Sequence, residues 1–409
     1  MKESLVLRIN SLFLALNSKI NTQLNLLIHH PLLQALEASW RGLWQISQQH
    51  EGVKTIKIKI LCLSLKELEE DFEKSTHFDD TFLFSNIYHQ EFSHPGGEPL
   101  GLLLGDYYFS SSSSHLKTLA TLSKISKIAF APFVTSITPG FLQLRKFEEL
   151  HKINMSALLK FNKNTLHQNL KKQEESCFLY FLLPRVILRN IYPKKTNSLF
   201  DEKNTLKENY LWGNAIYSLA NVIIDKFEKT KWFLDSEPNE IKMDNENYFQ
   251  VAKENHYKKH LTEIMLDPDK ELNLINQGFS FLNEKEDKST LYFKNLPSYY
   301  QEKPFFLQDV LCVCRLAHYI KIIMREKIGT FLTPAECENY LQNWLHHYTA
   351  HTKELGNETI LKYPLKKAKI SVYPAPGNIK KYFFNIYLTL HAKDNFIEPD
   401  FKLTSEIHK

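Results

Sequence analysis

Glycine is scarce in this chain, 12 in 409 residues, and four of the twelve fall in one stretch, HPGGEPLGLLLGDYYF, His94 to Phe109. Cysteine is scarcer: Cys62, Cys177, Cys312, Cys314 and Cys337 are odd in number and scattered, which excludes a disulfide framework. Cys312 and Cys314 lie two apart in a helical stretch and point to opposite sides, so they share no metal. No run of about 18 apolar residues exists, so no membrane span or direct membrane insertion is expected. The opening MKESLVLRINSLFLALNS is broken by Arg8 and Asn10 and offers no small-residue cleavage site, so it does not read as a signal peptide. A reduced, soluble, cytoplasmic protein is expected. Excess charge is lacking too: 51 Lys+Arg against 46 Asp+Glu gives +5, too little for a nucleic-acid partner. What the chain does have is 43% hydrophobic and 13% aromatic residues, enough for a large core with aromatic surface left for interfaces.

Periodicity sets out the elements. Leu5, Ile9, Leu12, Leu16, Ile20, Leu24 and Leu27 recur at helical steps until His29-His30-Pro31 breaks the pattern. A second helix follows, with Leu33, Leu36, Trp40 and Leu43 on one face and Gly52 as its stop. Lysine and isoleucine alternate from Lys54 to Ile60, the period of a strand with one solvated side. LKELEEDFEK and DDTFLFSNIYHQEF read as helices, LLLGDYYF as a buried strand, and SHLKTLATLSKISKIAF as a helix capped by Ser114. A further helix spans ENYLWGNAIYSLANVIIDKFEKT, and the polar stretch Asp235 to Glu263 reads as a loop excursion. The clearest helix carries Phe306, Val310, Val313, Ala317, Ile320, Met324 and Ile328 on its apolar face and stops at Gly329; Thr333-Pro334 with Glu336 opens another. LKKAKISVY and KYFFNIYLTL then form a hairpin at the chain end. The expected fold is mixed α/β (α+β): an N-terminal helical segment 1–50, an α/β core 51–350 with the polar insert, and a C-terminal strand arm 351–409.

Tested as chemistry, the glycine-rich stretch fails. Its glycines precede a strand and no Lys or Thr follows them, so it is no phosphate loop; GGEPLG also lacks the third glycine of a dinucleotide fingerprint. Glu98 and Asp106 lie eight apart across a turn and strand, and with His94 they form the alternative reading, a soluble α/β enzyme. The preferred reading is a turn feeding a strand, with no catalytic residue, no cofactor and no metal. The pairs His29-His30 and His346-His347 diverge by about 100° on a helix and cannot chelate one ion. Arg315, His318, Lys321 and Arg325 form a basic stripe at helical spacing. Read as solvated it is ordinary; the sharper reading makes Arg315, Lys321 and Arg325 a contact for an acidic partner.

Six ordered blocks, LIHHPLLQALEASWRGLW, HPGGEPLGLLLGDYYF, AFAPFVTSITPGFL, LPRVILRNIYP, LWGNAIYSLA and RLAHYIKIIMREKIGTF, resemble the large sheath subunit of type VI secretion systems, the TssC or VipB family. The resemblance implies a structural, non-enzymatic protein. It implies pairing with a small sheath subunit (TssB or VipA) and stacking of heterodimers into a helical contractile sheath around an inner tube of Hcp rings. It further implies docking on a baseplate at the membrane, contraction that propels the tube, and recycling by a AAA+ ATPase. Ile370, Val372, Phe383, Ile386, Tyr387 and Leu388 occupy the place of the family's inter-subunit strands. The helix bearing Leu5, Ile9, Leu12, Leu16 and Ile20 lies where the large subunit embraces the small one. The chain starts close to the first shared helix, without the longer extension usual in the family. A sheath of a related phage-tail-like contractile particle is the alternative within this class.

Overall fold

A computed structural model describes the chain apart from residues 1, 94–95, 153–164, 190, 193–199, 203–209, 234–238, 243–259, 286–289, 304, 328–332, 351–361, 376–377, 392–399 and 409. Two long helices open it. Helix α1, Lys2–Ile28, and helix α2, Pro31–Gln49, meet at His30, whose ring accepts from the Leu32 N–H while Pro31 starts the second helix. Helix α3, Leu65–Lys74, opens on a capping box between Ser64 and Glu67.

Strand β1, Leu103–Phe109, leads through helix α4, Ser113–Ala129, to β2, Phe133–Ile137. The α4 cap is Ser112, not Ser114, whose hydroxyl instead donates to Glu69 at 2.5 Å. Next come α5 (Thr165–Lys172), β3 (Leu179–Leu183), β4 (Val186–Arg189), β5 (Leu211–Gly213), α6 (Ile216–Thr230) and β6 (Asn239–Lys242). After α7 (Pro268–Asn276), β7 (Phe279–Glu284) and β8 (Thr290–Phe293), the long helix α8 (Leu307–Lys327) and α9 (Pro334–His346) lead to β9 (Leu365–Ala375), β10 (Asn378–Leu390) and β11 (Asp400–His408).

The central sheet runs β1-β2-β3-β7-β8-β6, parallel from β1 to β7 and antiparallel beyond. Strands parallel and covered on both faces need apolar side chains on both, and β3 supplies them. Leu179, Phe181 and Leu183 enter one core with Phe279, Phe281 and the α4 residues Leu119, Leu122 and Ile125. Tyr180 and Leu182 enter the other, with α6, α8 and the C-terminal sheet. Helix α8 is therefore enclosed nearly all round, and its Cys312 and Cys314 are both buried.

Several expectations change on this scaffold. Residues 54–60 form no strand, although their alternation is that of one. LWG is strand β5 rather than the first turn of a helix. Parts of the polar insert belong to the fold: β6 pairs with β8, Leu261 O accepts from Ile187 N at 2.9 Å, and Glu263 holds Arg185 at 2.7 Å. Its residues 243–259, like Ile328 and Gly329, lie outside the described residues. The C-terminal hairpin is a three-stranded sheet, because β11 pairs along β10 from Lys381↔His408 to Thr389↔Asp400. FKLTSEI carried that alternation but was masked by its charged neighbours.

Two buried histidines set a pH limit. His318 Nε2 lies 3.0 Å from Ala129 O, and burial pushes its pKa down to about 4. His167 Nδ1 lies 3.1 Å from the Tyr299 hydroxyl, and burial with the neighbouring Lys171 charge likewise takes it to about 4. Both folded values lie below the unfolded value of about 6.5, so the unfolded chain binds more protons between pH 6.5 and 4. Stability is expected to fall across that window by about 1.4 kcal/mol per pH unit per histidine. Denaturant midpoints measured from pH 7 to 4.5 check this, and His318→Gln should halve the slope.

Candidate assembly surfaces

The glycine-rich stretch is a structural junction. His94 and Pro95 lie outside the described residues. A Cβ on Gly97 would stand 2.6 Å from Glu91 O, and one on Gly105 would stand 2.5 Å from the Phe133 ring, so both sites require glycine by contact. Glu98 faces outward and pairs with Lys57, while Asp106 turns inward. Asp106 Oδ2 accepts from Ser39 Oγ at 2.5 Å on α2 and from the Tyr217 hydroxyl at 2.6 Å on α6. The two carboxylates thus have separate partners, and the acid/base reading has no geometry behind it. Asp106→Ala is expected to cost about 1–3 kcal/mol, since the Tyr217 hydroxyl loses its acceptor and Ser39 Oγ keeps only Ala35 O at 3.2 Å; chemical denaturation measures it.

Helix α2 turns its small residues inward. Ala38 and Gly42 are buried with Gln45 and Ile46, and a Cβ on Gly42 would collide with the Tyr217 ring. Its large apolar residues face solvent: Leu36 is 56% exposed, Trp40 64% and Trp44 59%. Of the expected face, Leu33, Leu36 and Trp40 are exposed and only Leu43 packs against the core. Close packing of α2 on α6 needed the small face, and the Ala38-x3-Gly42 spacing was the signal for it.

Helix α1 is more exposed still. Every residue from 5 to 16 is exposed, including Leu5, Ile9, Leu12, Phe13 and Leu16, and only Ile20 among the expected contact residues is half-buried. The C-terminal half is pinned. Asn25 Nδ2 donates to Asp201 O at 3.0 Å, Asp201 N donates to Asn21 Oδ1 at 2.9 Å, and His29 Nε2 stands 3.2 Å from Glu202. Glu202 is buried and holds Arg189 at 2.8 Å; Arg189 also reaches Glu37 on α2 at 2.7 Å. Burial opposes ionisation of Glu37, but hydrogen bonds from Arg41 and Arg189 outweigh it and hold the carboxyl below its ordinary value. A depressed carboxyl contributes fully above the ordinary carboxylate range and weakens only as pH falls below it. The helix pair is thus rooted at one end, with an apolar surface left open at the other.

At the other end of the chain, the C-terminal sheet is folded onto its own protein. Ile370, Val372, Ile386 and Leu388 are buried in the core shared with α8, so their side chains are not available to a neighbour. Phe383 is half-buried and Tyr387 40% exposed, but both sit on β10, whose main chain is paired on both sides. The β9 edge is also occupied: Gln342 Nε2 of α9 donates to Ala368 O at 2.9 Å, and its Oε1 accepts from Ile370 N at 3.1 Å. Glu338 accepts from Val372 N at 3.0 Å. The six residues expected in the inter-subunit strands are thus packed or paired within this chain. The sheet order β11-β10-β9 leaves β11 as the edge strand that α9 does not occupy.

The basic stripe on α8 does not face solvent as expected. Lys321 is buried and donates to the Tyr88 hydroxyl at 2.6 Å, and His318 is buried beside it. Arg315 stacks 4.8 Å from both the Phe227 and Trp232 rings and donates to Lys231 O and the Tyr319 hydroxyl. Arg325 is half-buried. Lys321 and Arg315 hold the helix to its surroundings, so the three cations do not line one solvated face. Elsewhere among the described residues, His50, Asp225 and Glu228 bring ligand atoms within 4.8 Å of one another, with both carboxylates exposed. His50 Nδ1 stands 3.8 Å from Asp225 Oδ1, an ion-pair distance.

An enclosed α/β core with apolar helices held open to solvent defines the class: a protein built to assemble with other chains. The chain belongs to the VipB family, described as EvpB/VC_A0108, whose tail sheath N-terminal domain matches residues 10–300 and whose tail sheath gpW/gp25-like domain matches residues 305–407. It is 28% identical over 431 aligned positions, 98% of this chain and 86% of the relative, to the type VI secretion system sheath protein TssC1 of Pseudomonas aeruginosa. Two solved structures overlap it at 8% identity: the anti-feeding prophage baseplate (TM-score 0.38, 69% of this chain, 64% of that one) and the contracted sheath complex of an extracellular contractile injection system (TM-score 0.37, 69% and 66%). That overlap is too slight to define the fold. Among the described residues, no helix is long and apolar enough to cross a membrane.

Proposed function

We propose that this chain is the structural large subunit of a type VI secretion sheath, working in the cytoplasm and carrying out no catalysis. It pairs with a small sheath subunit, and the heterodimers polymerise around an Hcp inner tube on a baseplate. Contraction is a rigid-body rearrangement of the same subunits that propels the tube. A AAA+ ATPase then recycles the contracted sheath.

The observation that carries this reading, beside family membership, is α1: a 27-residue helix whose residues 5–16 expose apolar side chains on all sides. Soluble monomers do not leave so large a continuous apolar surface open. The small subunit covers it through Leu5, Ile9, Leu12, Leu16 and Ile20, in the manner of a helix packed against helices. The exposed face of α2 extends the same contact. A sheath built from one kind of subunit has no separate chain for this surface, which favours the two-component system over a phage-tail-like particle.

Between heterodimers, strand exchange takes place at β11, an end strand of the order β11-β10-β9, since α9 occupies β9 and β10 is central. Main-chain pairing there gives a tether that tolerates subunit rotation. Co-expression tests the pairing: the small subunit is expected to co-purify in equal amount and rescue a chain that aggregates alone. A monodisperse chain that binds no small subunit contradicts it.

A further inference from the structure

Residues 54–63 read as a strand and yet are not in one. Among the described residues, none of their N–H groups donates to another main-chain group, and one of their carbonyls, that of Leu63, accepts from a side chain, the Tyr107 hydroxyl at 2.7 Å. Two contacts tie the segment to the neighbourhood of β1, the end strand of the central sheet: Lys57 pairs with Glu98 ahead of the strand, and the Leu63 carbonyl accepts from the Tyr107 hydroxyl within it.

Both sides of the segment meet solvent. Lys57 pairs with Glu98 and Lys59 with Glu91 at 2.5 Å, so the lysine side is tied to the protein's own acids. Ile56 packs against the core, but Ile58 and Ile60 beyond it are open, 52% and 61% exposed. An unpaired, β-branched, apolar ribbon is a template for another strand and a hazard when left bare. A strand laid on it would satisfy the main chain and cover both isoleucines in one step.

We propose that residues 54–63 are a docking strand that receives an extended segment of the small sheath subunit by main-chain pairing. This rests on the two-subunit reading above and adds a second, separate contact to the helical one. The choice of occupant follows from continuity. The segment begins five residues after α2 ends at Gln49, and Trp40 and Trp44 in the second half of α2 are exposed, so the ribbon follows directly in the chain on the helix surface that the small subunit is proposed to cover.

The test uses the co-expressed heterodimer before polymerisation. Amide exchange at residues 56–61 is expected to be at least tenfold slower than for unprotected chain; free exchange there in an intact heterodimer overturns the proposal. Two paired proline variants give an independent reading. Successive strand N–H groups point to opposite edges, so Ile58→Pro with Ile60→Pro blocks one edge and Lys57→Pro with Lys59→Pro the other. One of the two is expected to weaken small-subunit binding at least tenfold; Ile58→Pro with Ile60→Pro should leave the melting temperature of the large subunit unchanged because these amides are unpaired within it, and Lys57→Gln with Lys59→Gln, which loses the same two ion pairs as the lysine-to-proline pair, is its control. Unchanged binding in both overturns the proposal. Protection that appears only on polymerisation assigns the ribbon to a neighbouring copy and also overturns it. Failure of the wild-type chain to bind the small subunit overturns the two-subunit reading as well, which separates the two claims.

Discussion

A chain carrying Ile9→Lys with Leu12→Lys is expected to lose its small sheath partner while keeping its own fold. Both side chains are exposed, at 56% and 69%, so a lysine at either site simply meets water, and stability should stay within about 0.5 kcal/mol. In the assembled pair, each buried Ile or Leu contributes about 1.5–3 kcal/mol, and both contributions vanish together. The expected loss of about 3–6 kcal/mol corresponds to roughly 10²–10⁴-fold in Kd. Desolvating two introduced charges adds to that loss. A pull-down followed by a binding titration measures it, with circular dichroism as the control on folding. Wild-type affinity in the double variant would remove α1 from the interface.

Glu202→Ala is expected to be the most destabilising single change outside the apolar core. The carboxylate is buried, accepts from Arg189 at 2.8 and 3.1 Å and from Tyr192 N at 2.7 Å, and meets His29. Removing it leaves the Arg189 guanidinium buried with less countercharge, which costs about 3–5 kcal/mol. Replacing both partners, as in Arg189→Met with Glu202→Leu, should recover most of that, because the penalty comes from the unmatched charge rather than from the loss of a pair. The same change loosens the root of α1, so sheath assembly should fall further than stability alone requires. Denaturant unfolding separates the single from the double variant.

Much of the architecture was legible in the sequence, and the failures have physical causes. Helix α8 and its neighbour α9 were plain from periodicity and from the Thr333-x-x-Glu336 capping box, which forms. Strand β1 was legible because a continuous apolar run followed a glycine turn. The buried face of α2 was misread because large apolar residues were taken as core, whereas close helix packing called for Ala38 and Gly42. The α8 cations were misread because their spacing says nothing about what surrounds the helix; Lys321 and Arg315 are held by aromatic rings from distant segments. Residues 54–60 carried a strand pattern that the lone chain cannot complete. The inter-subunit strand residues followed from family resemblance and not from periodicity, and resemblance could not show that α9 occupies the β9 edge.

The central claim is that this chain, with its small partner, is sufficient to build a sheath. Electron microscopy of the two co-expressed subunits tests it most directly. Helical tubes containing both chains, absent when the Ile9→Lys, Leu12→Lys variant replaces the wild type, are the expected result. Discrete monomers or tubes formed by this chain alone would contradict it.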